Sequence, residues 1–340
     1  MNSTPKNILI SRTDKIGDAV LTLPLVLAVR NNYPNAKIKI LTRKYTRELY
    51  DYLECVDGVI EMPPKMNLLK SIKLIKEIKK ENFDLAFLVY PRFLVAIVLK
   101  LSKIKNRVGT AYRWYSFLLN KKVYEHRKHS IKHEAEYNLS LLKSFNQKAD
   151  LKIEFGLKTT KKDKATASDI LKSFKIKNKK FVVLHPLSFG SSTVWPVENF
   201  IELAEKILSD LKLNVIFTGI KKEEDFVKSK FKDCKINFAS NLKIMEQTAL
   251  IEKSACFVSN STGPMHFAAA IGTPVVSFFS PLQGTSPTRW GPIVKKKKIF
   301  VANNEICKLC RGGECKSNIC MEQISVKSVL ISIKELLNEK

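Results

Sequence analysis

Apolar residues along this chain come in short runs whose spacing switches repeatedly between strand and helix. Residues 7–11 are an almost continuous apolar run behind Pro5, which predicts a buried strand. Residues 19–31 set Val20, Leu23 and Leu27 at helical spacing, and Pro34 and Asn35 end that helix. Further strands are predicted over 37–42, 59–61, 84–90 and 106–109, with helices over 46–53, 68–80 and 94–104. In 68–80, Leu69, Ile72, Ile75 and Ile78 fall on one helical face. Then come a helix over 134–148, a strand-like stretch over 152–157 and a helix over 165–174. The pattern restarts with strands over 181–185, 214–218, 256–259 and 274–279. Helices over 197–211, 223–231, 245–254 and 263–271 alternate with them, and 326–338 forms a final helix. Apolar strands alternating with helices imply parallel sheets covered on both faces. The expected fold class is therefore α/β, in two Rossmann-like αβα domains, 1–155 and 156–340. Two such sheets facing each other would frame a central ligand cleft at the carboxyl ends of their strands.

Composition narrows the class further. At 340 residues, with 45% apolar and 27% charged residues, the chain suits two ordinary domains. A disordered chain, a coiled coil and a small disulfide scaffold are excluded. The 59 Lys+Arg against 32 Asp+Glu give a net charge of +27, spread over both halves rather than held in a tail. This is either a compositional bias or the mark of an anionic partner: nucleic acid, phosphorylated lipid or a membrane surface. One region concentrates it. Residues 100–132 carry ten Lys/Arg and one acid, Glu125, interleaved with Tyr112, Trp114, Tyr115, Phe117 and Tyr124. Beside the apolar 94–101 helix, this stretch could face anionic lipid or a phosphorylated glycolipid; its plain alternative is a solvated surface. The most apolar window, 93–101, is far short of the roughly 20 residues of a membrane span. The polar start differs from a signal peptide, so a cytoplasmic chain is expected.

Three loops at strand ends carry candidate chemistry. The first runs from Arg12 to Asp18 and sets Asp14 and Asp18 beside Arg12 and Lys15, ahead of a helix. A carboxylate there can cap the helix, or it can act as a general base towards an acceptor hydroxyl. The second, Pro186 to Pro196, holds Ser188, Ser191, Ser192 and Thr193 and ends in Trp195-Pro196. A strand, a small-residue loop and a helix start form a phosphate cradle, although no Walker spacing is present. The third is Ser259-Asn260-Ser261-Thr262-Gly263-Pro264-Met265-His266. The open N–H groups of a helix starting at Gly263-Pro264 can bind a diphosphate, and His266 in its first turn is either a structural histidine or a ligand contact.

These motifs, with Trp290-Gly291-Pro292, resemble the ADP-heptose:lipopolysaccharide heptosyltransferases, glycosyltransferase family 9, in residues and order. The opening Ser11-Arg-Thr-Asp-Lys-Ile-Gly-Asp18 and the Ser-Thr-Gly-Pro-Met-His run at 261–266 carry most of the resemblance, which covers nearly the whole chain. It implies a GT-B fold and metal-independent inverting transfer of a sugar, heptose, from an ADP-sugar to a hydroxyl of the lipopolysaccharide inner core. Asp18 would be the general base, with Asp14 a second candidate. Ser188, Thr193, Glu223, Glu224, Ser261, Thr262, Gly263 and His266 would bind the nucleotide-sugar donor. Arg12, Lys15, Arg92 and Arg113 would bind the anionic glycolipid acceptor at the inner face of the cytoplasmic membrane. The sequence departs from the family where Thr193 stands for a phosphate-binding lysine and Ser261 for a sugar-binding aspartate. Arg12, Lys15, Lys221 and Arg289 are candidates to replace the missing cation. A related enzyme using another nucleotide sugar for a cell-surface glycan is the alternative that these departures leave open.

Of seven cysteines, Cys307, Cys310, Cys315 and Cys320 follow a C-x2-C-x4-C-x4-C spacing. Four thiolates can close around a structural zinc, and reduced metal-free thiols are the equal alternative. The spacing also resembles a zinc knuckle, which with the basic charge would make a nucleic-acid-binding protein; that reading ranks below the enzyme, because a knuckle needs no large α/β scaffold.

Overall fold

The computed structural model describes residues 4–187, 193–230, 237–303 and 319–339. The chain divides into two compact units, Met1–Lys158 and Thr159–Lys340. In the first, β1 (Asn7–Ser11), β2 (Lys37–Arg43), β3 (Gly58–Met62), β4 (Leu85–Leu88), β5 (Asn106–Thr110) and β6 (Lys121–Val123) form one parallel sheet in the order β3-β2-β1-β4-β5-β6. In the second, β7 (Phe181–His185), β8 (Asn214–Gly219), β9 (Asn237–Ser240), β10 (Cys256–Asn260), β11 (Val275–Phe279) and β12 (Lys297–Val301) form another, ordered β12-β11-β10-β7-β8-β9. Read from its other edge, the second order repeats the first. Both are the doubly wound Rossmann order, and each reverses direction beside its first strand: between β1 and β4, and between β7 and β10.

The sheets are buried because their central strands are apolar on both faces. Ile8, Leu9 and Ile10 of β1 and every residue of β10 and β11 lie in the interior. The first unit packs Leu9, Leu41, Ala86 and Leu88 against the helix Phe93–Leu101 on one face. The second packs Trp195, Phe217 and Phe278 under the helix Val197–Asp210, which contributes Phe200, and the helix Val326–Asn338.

Several elements differ from the pattern-based expectation, each for a physical reason. The helix expected over 19–31 is two, Ile16–Val20 and Leu23–Asn32. Pro24 has no N–H to give the carbonyl four residues back, so the helix cannot run through, and Thr22 makes the junction by donating from Oγ1 to the Asp18 carbonyl at 2.9 Å. The stretch 152–157 buries Phe155 and Leu157 but joins no sheet, because Gly156 turns into the left-handed region at φ 59°. The helix expected over 165–174 starts earlier, at Lys161, where Thr160 and Asp163 form a reciprocal cap. On the helix Leu68–Lys80 the face that packs inward is set by Leu74 and Ile78, whereas Leu69 and Ile72 are exposed. Among the described residues no helix is long and apolar enough to cross a membrane.

Candidate active site

In the first unit the loop after β1 lies at the point where strand order reverses, where open α/β sheets bind ligands. Its organising residue is Arg12, whose side chain is 2% exposed. The guanidinium donates from Nε to Asp14 Oδ1 at 2.7 Å and from Nη2 to Asp18 Oδ1 at 2.5 Å. Its Nη1 faces Glu134 Oε1 and Asn138 Oδ1, each at 3.4 Å. Glu134 is itself shared with Arg127 at 2.5 Å, and Asn138 donates to the Leu21 carbonyl at 2.9 Å. A buried cation persists only when paired and hydrogen-bonded, and here the helix Glu134–Phe145 supplies the far half of that pairing. Burial disfavours the charged guanidinium, but Asp14, Asp18 and Glu134 outweigh it and hold its pKa above the ordinary arginine value.

The same loop is pinned from β2. Arg43 Nε donates to the Thr13 carbonyl at 3.0 Å, and Tyr45 donates its hydroxyl to the Asp14 carbonyl at 2.5 Å. Burial, only partly offset by Arg12 and reinforced by Asp18, pushes Asp14 up to about 6. Asp18 sits in the first turn of the helix Ile16–Val20 with its side chain 17% exposed, so one carboxylate is both anchored and reachable from solvent. Lys15 is exposed beside it.

Arg92 follows β4, the other strand at the reversal point, and caps the helix Phe93–Leu101. Its guanidinium lies 5.8 Å from the Tyr90 ring centroid, and its buried Nη1 has no hydrogen-bond partner among the described residues. Arg113 is exposed in the segment after β5. The structure thus places Arg12 among carboxylates in the interior, and sets Lys15, Arg92 and Arg113 at the carboxyl edge of the sheet.

In the second unit the corresponding point lies between β7 and β10. Asn260, the fully buried last residue of β10, accepts from the Trp195 N–H at 2.7 Å and donates to the Pro186 carbonyl at 2.6 Å. It therefore ties both ends of the loop after β7 to the end of β10. Trp195 is locked in turn: its Nε1 donates to the Ile324 carbonyl at 2.9 Å, and its ring stacks on Phe278 at 4.4 Å. Beyond Asn260, the Ser261 N–H donates to the Phe278 carbonyl at 3.1 Å, and Thr262 enters the helix Gly263–Ala270 in extended conformation. The Thr262 side chain makes no cap bond; its buried hydroxyl, with those of Thr193 and Ser259, has no partner among the described residues. With the open N–H groups of the helix start, this edge offers donors suited to phosphate oxygens. His266 is buried in the first turn. Ser188 lies outside the described residues.

Glu223 and Glu224 follow β8, next to β7. Glu223 accepts from the Ile220 N–H at 2.8 Å, folding onto Gly219, where a side chain would collide with it; burial raises its pKa. Glu224 is held by Lys228 at 2.6 Å, Ser240 at 2.7 Å and Lys221 at 3.2 Å, which bring it down to about 2, Lys228 most strongly. Lys221 is thereby engaged with Glu224 and Asp225, and Arg289 lies over the Trp290 ring at 4.6 Å. Cys320 packs in the core with Trp195 and Met321, while Cys307, Cys310 and Cys315 lie outside the described residues. Among the described residues no three His, Cys, Asp or Glu side chains cluster to hold a metal ion.

Glu134, Arg127, Asn138 and Asn260 carry no local sequence signal of these roles. The first three are far from Arg12 in sequence, and Asn260 reads as one more polar residue in a small-residue loop.

The sequence family of glycosyltransferase family 9 (heptosyltransferase) matches over residues 71–320, which include the loops after β7 and β10 and leave the Arg12–Asp18 loop upstream of the match. The chain belongs to that family. It is a glycosyltransferase, and its pair of Rossmann units is the GT-B organisation. The chain is 25% identical to the lipooligosaccharide heptosyltransferase 2 of Campylobacter jejuni, over 94% of this chain and 96% of that one. It is also 25% identical to a Haemophilus influenzae protein provisionally named a glycosyltransferase, over 96% of both chains. Among solved structures it resembles the glycosyl transferase family 9 protein of Veillonella parvula, with TM-score 0.83, 18% identity and 98% of both chains covered. The ADP-heptose lps heptosyltransferase II of E. coli follows at TM-score 0.78, 20% identity and 98% of both chains.

Proposed function

We propose that this glycosyltransferase moves heptose from ADP-heptose to a hydroxyl of the lipopolysaccharide inner core, with inversion, and that Asp18 is the general base. The observation that carries the reading is the Asp18 carboxylate held at 2.5 Å by a buried arginine at the sheet's reversal point, with part of its surface open to solvent. A base must present a lone pair in a fixed direction to the attacking hydroxyl, and a rotamer locked from behind does so. As the proton leaves the acceptor, Asp18 takes it, the hydroxyl oxygen bonds to the anomeric carbon and the nucleoside diphosphate departs. Negative charge on that leaving group is met by N–H groups at Thr262 and Gly263 and by the Thr193 and Thr262 hydroxyls, which have no partner among the described residues. Glu223 is the candidate for the ribose hydroxyls, since Glu224 is already saturated by three donors.

Arg92, Arg113 and Lys15 supply charge for a phosphorylated acceptor, and an acceptor built on lipid places the reaction at the inner face of the cytoplasmic membrane. Arg12 takes the role of holding Asp18 rather than touching the acceptor. The relatives named for heptose transfer support the sugar and acceptor. Ser261 and Thr193, where the family commonly has aspartate and lysine, support a second reading in which another nucleotide sugar is the donor. A thermal-shift series separates the two. ADP and ADP-heptose are expected to raise the melting temperature more than UDP, GDP, CMP or their sugar conjugates; preference for another nucleotide would keep the transferase and overturn the donor. On its spacing alone the four-cysteine loop is either a structural zinc site or a set of reduced, metal-free thiols, and metal analysis of the purified protein separates the two.

A further inference from the structure

In a parallel sheet every segment that leaves a strand starts at the same edge, so the Asp18 loop after β1 shares its edge with the segments after β3, β4 and β5. Those three segments open with large apolar side chains in solvent. Leu68 and Leu69, at the start of the helix after β3, are 76% and 77% exposed. Phe93 and Leu94 start the helix after β4 and are also exposed. Trp114, after β5, is 72% exposed and rests on Phe93 with ring centroids 4.6 Å apart; Phe117, 61% exposed, continues the strip beside Lys100. The helices Leu68–Lys80 and Phe93–Leu101 pack on each other, so these residues sit on neighbouring elements.

The surrounding charge is one-sided. Residues 62–76 and 91–123 together carry twelve Lys/Arg and no Asp or Glu. Lys65, Lys70, Lys73, Lys100 and Arg113 among them are exposed. Aromatic and aliphatic tips among cations, with Glu77 the one carboxylate in the groove beside Leu69 and outnumbered there by Lys73, Lys76 and Lys80, fit the interface of an anionic bilayer. Solvated lysines alone would account for the charge but not for six large apolar side chains left in water.

We propose that Leu68, Leu69, Phe93, Leu94, Trp114 and Phe117 form a docking rim that inserts into the headgroup region of an anionic phospholipid leaflet and brings the Asp18 loop to the lipid surface. This rests on the reading of the acceptor as a glycolipid. The leaflet supplies the apolar layer for the side chains and the phosphates for the cations, and the hydroxyl to be glycosylated would project from that surface.

The test mixes full-length protein with vesicles of equal phosphatidylglycerol and phosphatidylcholine, and with phosphatidylcholine alone. Trp114 is the natural reporter, since Trp195 is fully buried and Trp290 lies under Arg289. The wild type is expected to sediment with the anionic vesicles, its emission shifting to the blue, and to stay in solution with the neutral ones. Leu69→Ser/Leu94→Ser keeps Trp114 and removes exposed groups only; it should bind about tenfold more weakly with an unchanged melting temperature. Wild type that ignores anionic vesicles, or a double variant that binds them as well, overturns the proposal. On a delipidated, soluble acceptor the variant should match wild-type turnover; loss there would make the rim part of the sugar site and overturn docking. Vesicle binding involves no sugar transfer, so it stands or fails separately from the donor and acceptor assignment.

Discussion

Arg12 joins three carboxylates that would otherwise repel one another, and its replacement is predicted to cost stability before it costs chemistry. Lysine keeps the charge but offers a single ammonium where Asp14, Asp18 and Glu134 each take a different N–H of the guanidinium. Arg12→Ala should lower the unfolding free energy by about 3–5 kcal/mol and Arg12→Lys by somewhat less, measured by denaturant titration. A change within the few tenths typical of a surface site would show that the network is not holding the loop. Asp14 carries the pH signature of the same network. Its folded pKa is raised to about 6, so the folded state keeps a proton that the unfolded state has already lost. Stability should therefore fall as pH rises from about 4 to about 6 and level off above that. Asp14→Asn should remove that limb of the stability profile, and an unchanged limb would assign it to another group. Of this network, Arg12, Asp14 and Asp18 were legible because they share one loop. Glu134 and Asn138 were not, because pairs separated by 122 and 126 residues leave no local spacing to read.

At the scale of elements, legibility followed burial. The central strands β1, β4, β7, β10 and β11 are apolar on both faces and stand out in the sequence. β6, β9 and β12 lie at sheet edges, are short or partly exposed, and read as polar connections. The face of the helix Leu68–Lys80 was misread for a related reason: its apolar positions exceed what the sheet can cover, and the surplus at its first turns stands in solvent. The Asn260 link is an element-scale device, because one amide joins the end of β10 to both ends of the loop after β7. Asn260→Ala strands a buried N–H and a buried carbonyl, with an expected cost of about 2–4 kcal/mol. The stabilisation by ADP should shrink as well, measured as the melting-temperature increment at saturating nucleotide. A variant that keeps the full increment would remove this link from the donor site.

At the scale of the molecule, one topology is used twice. The order in each sheet reverses beside its first strand, and the loops that the sequence marks as chemical fall at those reversals. This is why three motifs, spread from residue 12 to residue 266, could be read together from the chain: strand ends are where a doubly wound fold presents side chains without disturbing its core. The overall charge of +27 gained its sharpest meaning from place, since its carboxylate-free segments carry the apolar rim. The central claim is that Asp18 takes the acceptor proton, and the most direct test is the turnover of Asp18→Asn with ADP-heptose and a core acceptor, alongside its melting temperature and ADP response. Transfer should fall by at least about 100-fold while the fold and nucleotide binding persist. Wild-type turnover in that variant would contradict the assignment.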